Sequence, residues 1–399
     1  METKPAQPHS LSNNIRRYDL DWLRVLAFGI LIFFHVGMFF NHWGWHIKNN
    51  VITHAVEWPM RFSSQWRMSL LFMISGAGVY FALGTRGPGA FLKERFVRIF
   101  IPLVFGMFIV VPPQIFFERL TQGQTYSYGD FYKTVFQFVP YPEGSFSWHH
   151  LWYLVYIFCY SLLGLPLLLL LRRHAGFTQR VAAFFANPWA LIAVPVIWHV
   201  GGSVLLEEHF PTTHNLVRDW NEHFHDFTLF VTGFMICTQI RFWETLQKYR
   251  QLTLGIWITL TIALYAYYWT VDRDMDAMQW LVYDAIKTTN AWCILLSIFG
   301  YGYTYLQFTN PFLKYANEAV YPFYILHQTV IICLAYPIIQ APVHWFVKFV
   351  YLCIATFVIC LGIYHFLIRR SDLLRVLFGL KAMKRSKSSA PVTPISSIS

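Results

Sequence analysis

Residues 20–35 read LDWLRVLAFGILIFFH, and apart from Asp21, Arg24 and His35 every residue in the stretch is apolar. Extended to Phe40, the run reaches the roughly 20 residues a helix needs to cross about 30 Å of hydrocarbon. It therefore reads as a membrane span that carries an arginine and a histidine. Ionisable groups at such depth cost several kcal/mol unless they face a cavity or a partner. Arg24 and His35 are eleven residues apart, about three helical turns plus roughly 20°, so both project from one stripe about 16 Å apart along the axis.

The rest of the chain has the same character. Of 399 residues, 56% are hydrophobic and 13% charged, about half the charged fraction of a soluble domain. Aromatics reach 19%, as expected where many helix ends meet a membrane interface. The net charge of +11 is dispersed in short clusters between apolar runs, which orient helices. A nucleic-acid surface would gather that charge on one soluble face. The six cysteines all lie in apolar runs and read as small buried hydrophobes. The first apolar run has no small-residue cleavage site and reads as a retained span.

Apolar runs predict spans near 20–41, 62–84, 99–117, 149–171, 188–206, 226–243, 251–270, 279–300, 318–339 and 343–368. One set of connections collects most basic residues, from Arg16 and Arg17 through Arg86, Lys93, Arg95 and Arg98 to the tail with Arg369, Arg370 and Arg375. The other set is rich in acids. The positive-inside rule then makes the basic side cytosolic. The expected fold is an all-α polytopic membrane bundle of about ten transmembrane helices with both termini cytosolic. It divides into a cytosolic tail (1–17), a membrane domain (18–370) and a basic, partly disordered cytosolic tail (371–399). The outer connection 118–148, rich in aromatics, Gly and Pro, suggests a short lid.

Other polar residues within or beside the spans are site candidates. Arg95 and Arg98 are neighbours on a helical face at the same mouth as Arg24. Arg67 lies about 9 Å deeper than Arg61, too deep for easy snorkelling. His150 opens the fourth span, His327 lies inside the ninth, and Asp284 sits three residues before Lys287, where the two can neutralise each other. His42 with His46, and the histidines at 209, 214, 223 and 225, lack the spacing of a metal site, so no metal is expected. The sequence contains no GxxxxGK[ST], GxSxG or HExxH, which disfavours ATPase, serine hydrolase and zincin chemistry.

In order along residues 16–368, the opening stretch with Arg24 and His35, LLFMISG at 70–76, Arg95 and Arg98 before Pro102, HLWYL at 150–154 and YPFYILHQ at 321–328 resemble the acyltransferase-3 family of integral membrane acyltransferases. Within it the chain is similar to the glucan biosynthesis protein C branch. Met73 stands where the family often has a second Phe, and Ser69 where an aromatic or His is common. The resemblance implies an inner-membrane O-acyltransferase that moves an acetyl- or succinyl-type group from acyl-coenzyme A to a hydroxyl of an extracytoplasmic glycan. No cofactor is expected to be permanently bound, and nucleic acid is not an expected partner. His35 would be the catalytic histidine and Arg24 its motif partner. Arg95 and Arg98 would bind donor, with Arg67, His150, His327 and Asp284 as further substrate-binding candidates. Arg67 would suit the carboxylate of a succinyl-type donor. The stripe carrying Arg24 and His35 is expected to line an open passage between a cationic mouth and the imidazole. The alternative is a secondary transporter of a small anion, since buried Arg and His suit proton-coupled carriers. A scaffold protein would tolerate loss of Arg24 and His35.

Overall fold

The computed structural model describes residues 16–269 and 274–383. Asp272, Arg273, most of the first tail and the segment after Lys387 expected to be disordered lie outside them. Among the described residues the chain is helical, with no strand and one isolated bridge between Pro140 and Phe146.

The helices are α1 (Tyr18–Met38), α2 (Glu57–Ser64), α3 (Arg67–Thr85), α4 (Pro88–Arg95), α5 (Ile101–Phe105), α6 (Pro112–Thr121), α7 (Tyr128–Val135), α8 (Trp152–Leu163) and α9 (Leu165–Arg173). Then come α10 (Ala175–Phe184), α11 (Pro188–Leu206), α12 (Trp220–Met235), α13 (Ile240–Ala263), α14 (Ala277–Tyr305), α15 (Pro311–Ala335), α16 (Trp345–Gly362) and α17 (Asp372–Leu377). Local chemistry sets their starts. Asn187 and Asn310 cap α11 and α15 with Pro at the first turn, and Asp276 forms a capping box with Gln279 at α14. Such caps satisfy N–H groups that lack helical partners.

Six helical segments are long and apolar enough to cross a membrane, or seven if the bent pair His149–Leu163 and Leu165–Arg173 is one span. The ten expected spans are therefore not all matched by length and apolarity. The 226–243 run is broken, because α12 stops at Met235 and α13 begins at Ile240. The 251–270 and 279–300 runs lie mostly within α13 and α14, whose charged, Thr and Tyr residues dilute the apolar pattern. The 149–171 run bends by 54° between Leu163 and Leu165, where Pro166 removes a donor.

Helix α1 lies at the centre, packed on α3, α14, α15 and α16. Helices α3 and α12 cross at backbone distance. A Cβ at Gly76 would sit 1.8 Å from the Phe230 carbonyl oxygen, and one at Gly233 would sit 1.9 Å from that of Met73. Small residues are what permit such close crossings in membranes. The 99–117 run is interrupted by π-turns at Phe96–Phe100 and Gly106–Val110. Pro102 cannot donate to the Arg98 carbonyl, and wider turns of this kind recur at functional sites. The 118–148 connection contains α7, whose Phe131 and Val135 are buried. Arg119 holds it through Ser145 (2.9 Å) and Gly144 (2.6 Å).

Candidate active site

At one end of the bundle a cleft of about 900 Å³ opens between α1, α3, α4, α8 and α15. Eight Lys and Arg side chains line it, against two Glu. Arg24, Arg95 and Arg98 are all among them, so three of the sequence-predicted residues converge. Arg24 donates to Asn317 Oδ1 (3.2 Å) and lies 3.7 Å from Asp21, which Asn317 also donates to (3.0 Å). Arg98 donates to the Gly379 carbonyl (3.0 Å). Gly379 has φ +74°, and a Cβ there would sit 2.0 Å from Tyr321, so only glycine lets the C-terminal segment dock beside Arg98. Arg95 lies over the Phe91 ring at 4.7 Å, and its Nε has no partner. The local excess of positive charge favours a polyanion.

His35 lies deeper, two turns beyond Phe28 on the same stripe of α1, half-buried and facing α15. Hydrogen-bond logic fixes the protons here. His327 Nδ1 lies 2.7 Å from the Tyr324 carbonyl, which can only accept, so Nδ1 carries the hydrogen and Nε2 of the neutral ring accepts. His35 Nδ1 lies 3.2 Å from that Nε2 and 3.1 Å from the Leu31 carbonyl. Both are acceptors, so His35 Nδ1–H donates to them. His35 Nε2 is left with its lone pair, without a hydrogen bond among the described residues and not sealed from solvent. This is the tautomer a general base requires.

The same logic runs through the surroundings. His150 Nε2–H donates to the Ile325 carbonyl (3.0 Å), and its Nδ1 accepts from Gln114 Nε2 (3.2 Å). Gln114 also donates to Thr329 (2.7 Å) and accepts from Gln328 (3.0 Å); Thr329 donates to the Val110 carbonyl (2.6 Å). Tyr324 OH donates to the His150 carbonyl. Both nitrogens of His150 and of His327 are thereby occupied within the protein. The two histidines support His35 rather than present a free nitrogen of their own. Gln114, Gln328 and Thr329 were not singled out in the sequence, because uncharged amides and hydroxyls in apolar runs carry no charge signal.

Arg67 is 4% exposed, with its guanidinium 4.0 Å from the Phe34 ring beside His35 and with Nε and Nη1 unpartnered. An unpaired buried cation is costly, which marks Arg67 as a candidate partner for an anionic group. Asp284 does not join this group. It lines a separate cavity with Lys287, 3.1 Å away.

The open passage expected between Arg24 and His35 is closed in this structure. The cleft reaches Phe28, Tyr153 and Tyr321 but not His35. Phe28 packs edge-on against Tyr324 at 5.4 Å, and Tyr324 lies 6.0 Å from both Tyr153 and His327. Aromatic rings therefore stand between the cationic mouth and the imidazole.

The fold also gathers His46, Glu118 and His149, and His42, His54 and Glu57, with candidate ligand atoms within 4.8 Å. Spacing along the chain gave no hint of the first set, since His46 and Glu118 lie 72 positions apart. In both, however, the imidazoles stack nearly parallel, at 4.5 Å and 15° and at 3.8 Å and 18°. Lone pairs lie in the ring planes, so they do not converge on one ion. Each Glu instead receives hydrogen bonds, from His46 (2.8 Å) and Tyr141 (2.7 Å) or from His42 (2.9 Å). Burial and Glu118 both push the Tyr141 hydroxyl's pKa up.

The protein thus combines membrane-length apolar helices, a cationic cleft at one end and a deeper imidazole nitrogen that carries no hydrogen. A family model for an acyltransferase domain matches residues 17–365; the chain belongs to the acyltransferase-3 family and is a multi-pass membrane acyltransferase. No curated protein and no solved structure matches it.

Proposed function

We propose that the protein transfers an acetyl- or succinyl-type group from acyl-coenzyme A to a hydroxyl of an extracytoplasmic glycan, in the cytoplasmic (inner) membrane, as glucan biosynthesis protein C-like relatives are expected to do. The observation that carries this reading is the cleft with eight cations over the stripe that leads to His35. Its volume lies toward the upper end of the roughly 300–1,000 Å³ usual for ligand sites. In this reading Arg24, Arg95 and Arg98 hold the phosphates, for which guanidinium is well suited, and the pantetheine arm extends along α1. Binding must swing Phe28 and Tyr324 aside so that the thioester reaches His35.

His35 Nε2 then takes the proton of the acceptor hydroxyl as its oxygen attacks the thioester carbon. The C–S bond breaks, the coenzyme leaves as a thiolate that takes the proton back from His35 Nε2, and the ester forms. His327 and His150 are positioning residues. Arg67 pairs with the terminal carboxylate of a succinyl donor. Mass spectrometry of surface glycans from a deletion strain and its complement tests the reading. The expected result is an acyl mass missing from the deletion strain and restored on complementation. Identical glycans in both would overturn it.

A further inference from the structure

A second cavity, of about 320 Å³, opens among α11, α12, α14 and the α2–α3 junction. Glu207, Glu222 and Asp284 line it with Lys287 as the one cation, together with His199 and His225. With neutral imidazoles its formal charge is −2, opposite in sign to the cleft that holds Arg24. Asp284 is 1% exposed; its Oδ1 meets Lys287 while its Oδ2 has no partner. Asp284 Oδ2 is thus a buried acceptor left unsatisfied in the wall of this cavity.

The two histidines add a second acceptor. His225 Nε2 lies 3.1 Å from Asn221 Oδ1 and therefore carries the hydrogen. Its Nδ1 then accepts, and His199 Nδ1, at 2.7 Å, donates to it. His199 Nε2 keeps its lone pair, without a hydrogen bond among the described residues. The free His199 Nε2 thus shares this space with Lys287, the Glu207 and Glu222 carboxylates and side-chain hydroxyls. A ligand that fills this space must donate at several points and accept at some, and negative charge on it would be repelled.

The first turn of α3 touches both this cavity and the surroundings of His35. Arg67 faces Phe34 beside His35, while Ser69, two residues on, lines the cavity.

We propose that this acidic cavity binds an uncharged, hydroxyl-rich sugar unit of the acceptor, holding the glycan beside the site where another of its hydroxyls is acylated. This rests on the acyltransferase reading for its purpose but not for its binding chemistry. The test is saturation-transfer NMR on the protein in nanodiscs without acyl donor, with glucose and glucuronic acid as separate probes. Glucose is expected to receive saturation, and glucuronic acid at least tenfold less. Ala291→Phe, which fills the cavity, and Asp284→Asn with Glu222→Gln should each reduce the glucose signal at least fivefold in protein that still elutes as wild type. Equal signals from both sugars would overturn the proposal, as would full glucose signal in Ala291→Phe. His35→Ala should keep the glucose signal, so a failure of the acyl-transfer reading is distinguishable from a failure of this one.

Discussion

Replacing His327 by leucine tests whether His35 is set by its neighbour rather than by chance packing. The side chain removed supplies one of two acceptors for His35 Nδ1–H, at 3.2 Å; the Leu31 carbonyl at 3.1 Å remains. The group is not orphaned, so the loss falls toward the lower part of the roughly 1–3 kcal/mol for a buried unpaired partner. At about 1.4 kcal/mol per tenfold, acyl transfer should fall roughly tenfold. The fall should appear in kcat, with KM for acyl-coenzyme A unchanged, because His327 does not line the cationic cleft. His327→Gln can present an amide oxygen near the lost nitrogen and should recover all but about threefold. The assay is radiolabelled acyl transfer to a glycan acceptor by protein in nanodiscs. If leucine were silent, or if glutamine were no better than leucine, the assigned tautomer would be wrong.

Other substitutions probe the rest of the account. Arg24→Ala, Arg95→Ala and Arg98→Ala should each raise KM for acyl-coenzyme A by about tenfold with less change in kcat, since a hydrogen bond to a charged group contributes about 1.5–3 kcal/mol; steady-state kinetics at two salt concentrations would check this. Arg67→Met should cut transfer from a succinyl donor about 100-fold and spare an acetyl donor, and equal losses with both would remove the carboxylate pairing. Gly76→Val places side-chain atoms against the Phe230 carbonyl and should destabilise the α3–α12 crossing by at least about 1–3 kcal/mol, read as a lower melting temperature in detergent. His214, in the connection before α12, has its pKa lowered by burial. The folded state binds its proton less readily than the unfolded chain, so its contribution to stability is present near neutral pH and lost on acidification below the ordinary His range. His214→Gln should flatten the melting temperature between pH 7 and pH 5.

Much of the cationic cleft was legible in the sequence because charge in an apolar run is conspicuous. Arg24, Arg95 and Arg98 converge as their shared mouth suggested, and the spacing of Arg24 and His35 set them on one stripe. What was not legible depends on contacts across the fold. Gln114 meets His150 and Gln328 from 36 and 214 positions away, and nothing local marks such an amide. The break at 236–239 lies inside an apolar stretch without proline, so no strong local signal marked it. The rings of Phe28 and Tyr324 that close the passage read in sequence as ordinary apolar residues. Asp284 looked locally neutralised by Lys287, but only the fold shows that one carboxylate oxygen remains unpaired in a separate cavity.

The most direct measurement is acyl transfer by His35→Ala protein that folds and binds acyl-coenzyme A as wild type does. If this imidazole nitrogen takes the acceptor proton, turnover should fall by about 10²- to 10⁴-fold with donor affinity intact. Transfer within a few-fold of wild type would contradict the account.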